Sequence, residues 1–396
     1  MAAVLGLRGS GAFTSNERPQ NWREMILHLF PNGEAPLTAL LSMLKSQPTD
    51  DPQYNWWEKR LPTQRMVVNG AQASGIIAIA VTSGAKDAVA GTVLYHDQDG
   101  EIMLVVSDPA TDTTINVQRG WGTVAAGALA NSDGLTIIGN VHEEGAKPPT
   151  AKTYAPTKQT NYTEIFRLPL YLTRTARKTK LRWDNTGPYR EAKREALSLY
   201  SIEQEKAFIN GNAVETTGSA GLPLRMTGGV KSFLTSNIKG GTNDTVFNVN
   251  GTLDEDGLDN ICENIFRYGS NEKLVLCGST FLRAITTLGK RNGTLNMVPQ
   301  DRIYGMKVVE YITAFGSLML KNHPLFSQHT LWRQDALVLD TNNLLYRYLD
   351  DTMFIKNRQD PGEDASKDEY LGECGMEVYF EETHAYINGV SGALIA

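Results

Sequence analysis

Between about Arg65 and Asn140 the chain is a series of short β-type runs cut by Gly, Asp and Asn, with no helical periodicity. That block follows a polar, Pro-punctuated arm and precedes a half that alternates helices with buried strands, so no single repeating architecture fits the whole chain. The runs are Ile76–Val81, Thr92–Tyr95, Ile102–Val106, Thr113–Val117 and Leu135–Ile138. Asp97-Gln98-Asp99-Gly100 and Ser132-Asp133-Gly134 are turn signals between them. The pattern predicts a small β-barrel or sandwich. Its exit, Glu143 to Lys158, is polar and Pro-rich and reads as a linker.

Upstream, Met1 to Arg18 is small and polar and has too little apolar content to fold alone. Asn21–Phe30 places Trp22, Ile26 and Leu29 at helical spacing before Pro31 and Gly33 stop it. Pro36 opens a second turn over Leu37–Leu44, with Leu37, Leu40, Leu41 and Leu44 on one face. Asp51-Pro52 breaks the chain again before Tyr54-Asn55-Trp56-Trp57. Apolar anchors between breakers suit a strap that docks into separate pockets, and the expected surface is another copy of the chain. Trp22, Ile26, Leu29, Leu37, Leu40 and Leu41 are therefore candidate anchors between subunits.

Downstream, Tyr162–Leu172 is a further β-like run. Pro188 starts the longest predicted helix, which ends near Gly211 and spans roughly 30 Å. Its apolar stripe is Ala192, Ala196, Leu199, Tyr200, Ala207 and Phe208, with Glu191, Lys193, Arg194, Glu195, Glu203, Glu205 and Lys206 expected on the solvent side. A second helix carries Leu258, Ile261, Cys262, Ile265 and Phe266. A third, capped by Ser279 and stopped by Gly289, carries Phe281, Leu282, Ile285 and Leu288. Strands are expected at Lys273–Cys277, Lys307–Ile312, Leu318–Leu320, Ala336–Leu339, Leu344–Tyr348 and Met376–Phe380. Helices mixed with antiparallel-looking strands make this an α+β chain.

Composition excludes several function classes. The 396 residues predict about two to three domains. The chain is 41% hydrophobic and 21% charged, which is the composition of a folded protein with a sizeable core. Its net charge of −6 argues against a dedicated nucleic-acid binder. No run approaches the roughly 20 apolar residues of a membrane span, and Met1 to Arg8 lacks the apolar core of a signal peptide. Cys262, Cys277 and Cys374 are widely spaced and sit in or beside apolar runs, so they read as buried free thiols.

Motifs for chemistry are sparse. Gly6-x-x-Gly9-x-Gly11 follows no strand and is not a dinucleotide fingerprint. Phosphate-loop, zinc-protease and nucleophile-elbow patterns are absent from the sequence. His142-Glu143-Glu144 and Glu382-Thr383-His384 are isolated and read as solvated loop residues. No cofactor or metal is expected. The sharpest enzymatic alternative is a cysteine hydrolase, with Cys277 as nucleophile and His323 or His329 as base. The strongest charge feature is Arg174 to Arg182, where Arg174, Arg177, Lys178, Lys180 and Arg182 occur without a carboxylate. It faces, in composition, an acidic region from Asp350 to Glu382. The two read as solvated faces, as complementary contacts between subunits, or, for the basic segment, as a weak contact with nucleic acid.

The order of arm, β-rich loop, spine helix, α+β domain and returning strands resembles the major capsid proteins of tailed phages, the Hong Kong 97 type of fold. Strings that carry the resemblance include Asn161-Tyr162-Thr163-Glu164-Ile165-Phe166, Glu205-Lys206-Ala207-Phe208-Ile209-Asn210-Gly211 and Met226-Thr227-Gly228-Gly229-Val230. Thr114-Ile115-Asn116-Val117-Gln118-Arg119-Gly120 and Ala336-Leu337-Val338-Leu339-Asp340 add to it. It runs from about Trp22 to Ile387, and the subgroup it points to carries a β-rich elaboration in its extended loop.

The resemblance implies a non-enzymatic shell protein that self-assembles as hexamers and pentamers into an icosahedron around double-stranded DNA. Residues 1–64 would be the N-terminal arm and 65–160 the extended loop with its β-domain. Residues 161–250 and 340–396 would form the peripheral domain, and 251–339 the axial domain. Expected partners are the chain itself, the packaged DNA, and portal, scaffold and decoration proteins, with no membrane. The expected location is the virion, after assembly in the host bacterial cytoplasm. Some members carry a long helical scaffolding segment ahead of the arm; this chain is expected to lack one, so assembly help, if any, would come from a separate scaffold. Another virion component, such as a tail or decoration protein, is the alternative within the same class.

Overall fold

The computed structural model describes residues 36–41, 45–62, 64–180, 187–234, 245–291, 297–303 and 306–393. The chain forms two compact units, Trp57–Lys158 and the remainder.

The inserted unit is a six-stranded barrel. Its strands are Arg65–Val67, Ala78–Ala80, Thr92–His96, Ile102–Ser107, Thr114–Gln118 and Gly134–Asn140. In space the order runs first, sixth, third, fourth, fifth, second. The two ends of that row meet: Val68 bridges Val81, the Asn69 N–H donates to Ala80 O, and the Thr82 N–H donates to Val67 O, both at 2.9 Å. Closure leaves no open edge to aggregate. Period-two patterning fills the inside, with Met103, Val105, Ile115, Val117, Leu94 and Leu135 buried together. The two turns flagged by sequence are clamped by one buried imidazole. His96 Nδ1 lies 2.5 Å from Asp99 and its Nε2 3.1 Å from Asp133. Beside it, buried Glu101 receives Arg119 at 2.6 Å and 2.8 Å, together with the Gly120 N–H.

The segment read as a linker packs on this unit instead. Thr150 donates to Asp108, Lys152 to Asp87 O and Tyr154 to the Asp87 carboxylate. Its polar composition reflects side chains that bond the barrel's acidic loops rather than water alone.

The larger unit has two main sheets. One has seven strands in the order Val246–Leu253, Ala385–Ala393, Ala336–Leu339, Glu272–Cys277, Ser317–Asn322, Met306–Ile312, Met297–Ile303. Glu272–Cys277 sits in its middle, parallel to Ser317–Asn322 and antiparallel to Ala336–Leu339, which explains its near-continuous apolar run. Helices Glu255–Ile265 and Ser279–Arg291 share its core through Leu258, Ile261, Phe281 and Ile285. Asp254 caps the first by accepting the Gly257 N–H at 2.9 Å. The second runs through Gly289, where sequence placed its stop. Buried Leu288 anchors that turn, and packing outweighs a glycine cost of about 1 kcal/mol.

The other sheet has four strands in the order Ser46–Pro48, Leu344–Ile355, Ala365–Val378, Glu164–Thr173. The long helix, Pro188–Asn210, packs on it through Tyr200 and Phe208, which meet Phe166 edge-on at ring distances of 6.3 and 6.0 Å. Leu344–Ile355 and Ala365–Val378 extend well past the expected strands. Register shifts at Tyr348/Asp350 and Asp350/Met353 absorb the acidic residues that hid the strand signal. Direct strand-to-strand crossovers between the sheets lie at Asp340–Asn343 and at Tyr379–His384. Among the described residues no helix is long and apolar enough to cross a membrane.

Candidate functional site

The long helix carries a fully buried polar site. Glu205, expected on the solvent face, is fully buried. It lies three and four residues before Phe208 and Ile209, so helical geometry puts it on the same inward face. A buried carboxylate needs its lone pairs filled. Oε1 accepts the Leu37 N–H at 2.8 Å, and Oε2 accepts the Thr38 N–H at 2.6 Å and the Thr38 hydroxyl at 2.8 Å. The two amides are first-turn donors of the short helix Pro36–Leu41 and have no partner within that helix. The fourth bond joins His323 Nε2 to Oε1 at 2.7 Å. His323 Nδ1 accepts the Phe326 N–H, which leaves Nε2 to donate. One carboxylate thus ties the arm helix, the long helix and the turn Pro324–Gln328 together.

Two of the expected strap anchors pack within this chain. Leu37 and Leu41 are buried in this chain's own core with Phe166, Tyr200, Phe208 and Phe326, so neither needs a neighbouring subunit to leave water. Trp22, Ile26 and Leu29 lie outside the described residues, as does the side chain of Leu40.

Two lysines bind the layers from other directions. Lys231 Nζ sits 4.2 Å from the Tyr386 ring centroid and 5.5 Å from those of Phe326 and Trp332, and donates to Tyr386 Oη at 3.1 Å. Desolvation lowers its pKa to about 8. Lys273 is buried where the two sheets cross over. Its Nζ donates to Thr383 O at 2.6 Å and Tyr268 O at 2.8 Å. Next to it His384, read from sequence as solvated, is buried, with Nδ1 accepting the Asp340 N–H at 3.2 Å. Burial and then Lys273 push its pKa down to about 4.

Of the hydrolase alternative, Cys277 and His323 meet through the backbone, where the His323 N–H donates to Cys277 O at 2.8 Å, but their side chains have other partners. The three thiols are buried and unbridged. Cys277 Sγ faces Lys321 O at 3.3 Å, and burial pushes its pKa up to about 12. The His323 ring is engaged by Glu205. His329 stacks on Trp332 at 4.3 Å and accepts the Leu331 and Trp332 N–H groups. Among the described residues no cluster of three or more His, Cys, Asp or Glu is placed to hold a metal ion.

Part of the basic segment meets the acidic region within the chain. Arg174, Arg177 and Lys178 lie on the helix Arg174–Lys178. Arg174 Nε pairs with Asp364 at 2.7 Å, both exposed. The Arg177 guanidinium lies 4.8 Å from the Tyr189 ring, whose hydroxyl donates to Asp368. Lys178 and Lys180 are exposed, and Arg182 lies outside the described residues.

Comparison with known proteins places this architecture. The family model of the SU10 major capsid protein matches residues 9–391. A major capsid protein of Pseudomonas phage PaMx41 is 26% identical over 350 residues, covering 86% of this chain and 82% of that protein. Among solved structures, a chain of the capsid asymmetric unit of cyanophage A-1(L) aligns over 96% of this chain and 98% of its own, with a TM-score of 0.51 and 10% identity. A chain of Mycobacterium phage Bobi aligns over 94% and 96%, with a TM-score of 0.46 and 9% identity. The fold is thus the Hong Kong 97 type that the resemblance implied, and the chain belongs to the SU10 major capsid protein family, as a subunit of a phage capsid shell.

Proposed function

We propose that this chain is the repeated subunit of an icosahedral shell, grouped as hexamers and pentamers, that closes around double-stranded DNA in the host bacterial cytoplasm. In this reading the arm is residues 1–64, the extended loop with its inserted β-domain 65–160, the peripheral domain 161–250 with 340–396, and the axial domain 251–339. The supporting observation is a family match over residues 9–391. A role without enzymatic chemistry goes with a capsid family, and the nucleophile singled out by sequence, Cys277, is a core thiol. Exposed Lys178 and Lys180 are the described members of the basic segment left for weak DNA contact, worth little individually and sensitive to salt. Portal and decoration proteins, and a separate scaffold if assembly needs help, complete the expected partners.

The test is expression of the chain alone, followed by sedimentation and negative-stain microscopy. Closed shells are expected. A uniform monomer at every concentration and salt tried would contradict the proposal.

A further inference from the structure

Directly after the long helix the chain forms a two-stranded hairpin, Val214–Thr217 paired with Pro223–Met226. Its base is rigid. The Gly229 N–H donates to Gly211 O at 2.9 Å, and a Cβ on Gly211 would come within 2.3 Å of Thr227 O, so the ribbon is mounted tightly on the helix end. The register pairs Val214 with Met226 and Thr216 with Leu224, which puts these side chains on one face. Glu215, Arg225, Thr217 and Pro223 take the other face. The first face is apolar and open to water: Leu224 is 62% exposed, and Leu222 at the tip 68%. A lone two-stranded ribbon is marginal in water, and this one has a core-type face without a core.

We infer that the apolar face of this hairpin docks on a second copy of the chain. The ribbon's chemistry selects a protein surface. Its charged groups, Glu215 and Arg225, pair with each other at 3.5 Å, so it offers no basic stripe to phosphates. Residues 211–229 contain no Trp, Tyr, Phe or Lys, the usual anchors at a lipid surface. Stoichiometry selects the partner. Every subunit carries this face, and a shell built from this chain presents each copy with neighbouring copies in equal number. The inference rests on the shell reading.

The experiment compares Leu222→Ser/Leu224→Ser with wild type and with Thr217→Ala on the opposite face. The free subunit of the double variant should unfold at the wild-type urea midpoint, because both side chains are exposed. Its yield of shells should fall roughly tenfold or more, while Thr217→Ala assembles normally. In wild-type shells made from purified chain alone, the amides of Val214–Thr217 should exchange hydrogen at least about tenfold more slowly than in free subunits. Equal shell yield from the double variant, or unchanged exchange in shells, overturns the inference. So does protection that appears only when another protein is added. A wild type that forms no particle overturns the shell reading itself, a separate failure from shells whose hairpin stays exposed.

Discussion

Glu205→Gln isolates the lock between arm and long helix with almost no change in volume. The amide can keep its oxygen toward Leu37 N and His323 Nε2. Its NH₂ then faces the Thr38 N–H, which cannot turn away, and the Thr38 hydroxyl, which can rotate to accept. The variant therefore loses a charge-assisted bond of about 1.5–3 kcal/mol and leaves a buried donor unsatisfied at about 1–3 kcal/mol. We expect a loss of about 3–5 kcal/mol in subunit stability, read as a lower urea midpoint at unchanged slope. The arm should also become cleavable near Lys45 under limited proteolysis before the rest unfolds. Thr38→Val removes only the hydroxyl bond and should cost about 1–2 kcal/mol. Glu205→Gln within about 0.5 kcal/mol of wild type would refute the claim that this carboxylate holds the arm.

Other expectations follow from the same coordinates. The three thiols should be inert to a thiol reagent in the native subunit and all react in denaturant; rapid native labelling of Cys277 would contradict its core placement. His384 titrates near 4 when folded and near 6.5 when unfolded, so the unfolded chain binds the extra proton between those values. Its contribution is therefore complete above pH 6.5 and declines as pH falls toward 4, by up to about 3 kcal/mol. Stability of His384→Gln should fall less steeply over that window, and parallel wild-type and variant curves would remove the assignment. Fragment 57–158 should fold alone with a cooperative transition, because its barrel is closed and its core local; an unfolded spectrum would count against this.

What was legible in the sequence was what local rules decide. Pro188 and the 3.6-residue stripe announced the long helix, and alternation in Thr114–Gln118 announced a barrel strand. What stayed hidden depends on partners distant in sequence. Glu205 reads as solvated until Leu37, Thr38 and His323 surround it. Acidic Asp350–Ile355 reads as loop until bulges seat it opposite Glu369–Glu373, and Val246–Leu253 and Ala385–Ala393 are too rich in Gly and Asn to announce strands alone. The hairpin at Val214–Met226 was missed for a similar reason: its apolar residues number too few per strand to show a period.

The most direct measurement is a cryo-electron microscopy reconstruction of particles formed by this chain. The account predicts a closed shell in which each Pro36–Leu41 helix lies on its own subunit's Glu205. Open or irregular aggregates, or arm helices seated on the Glu205 of a neighbouring subunit, would contradict it.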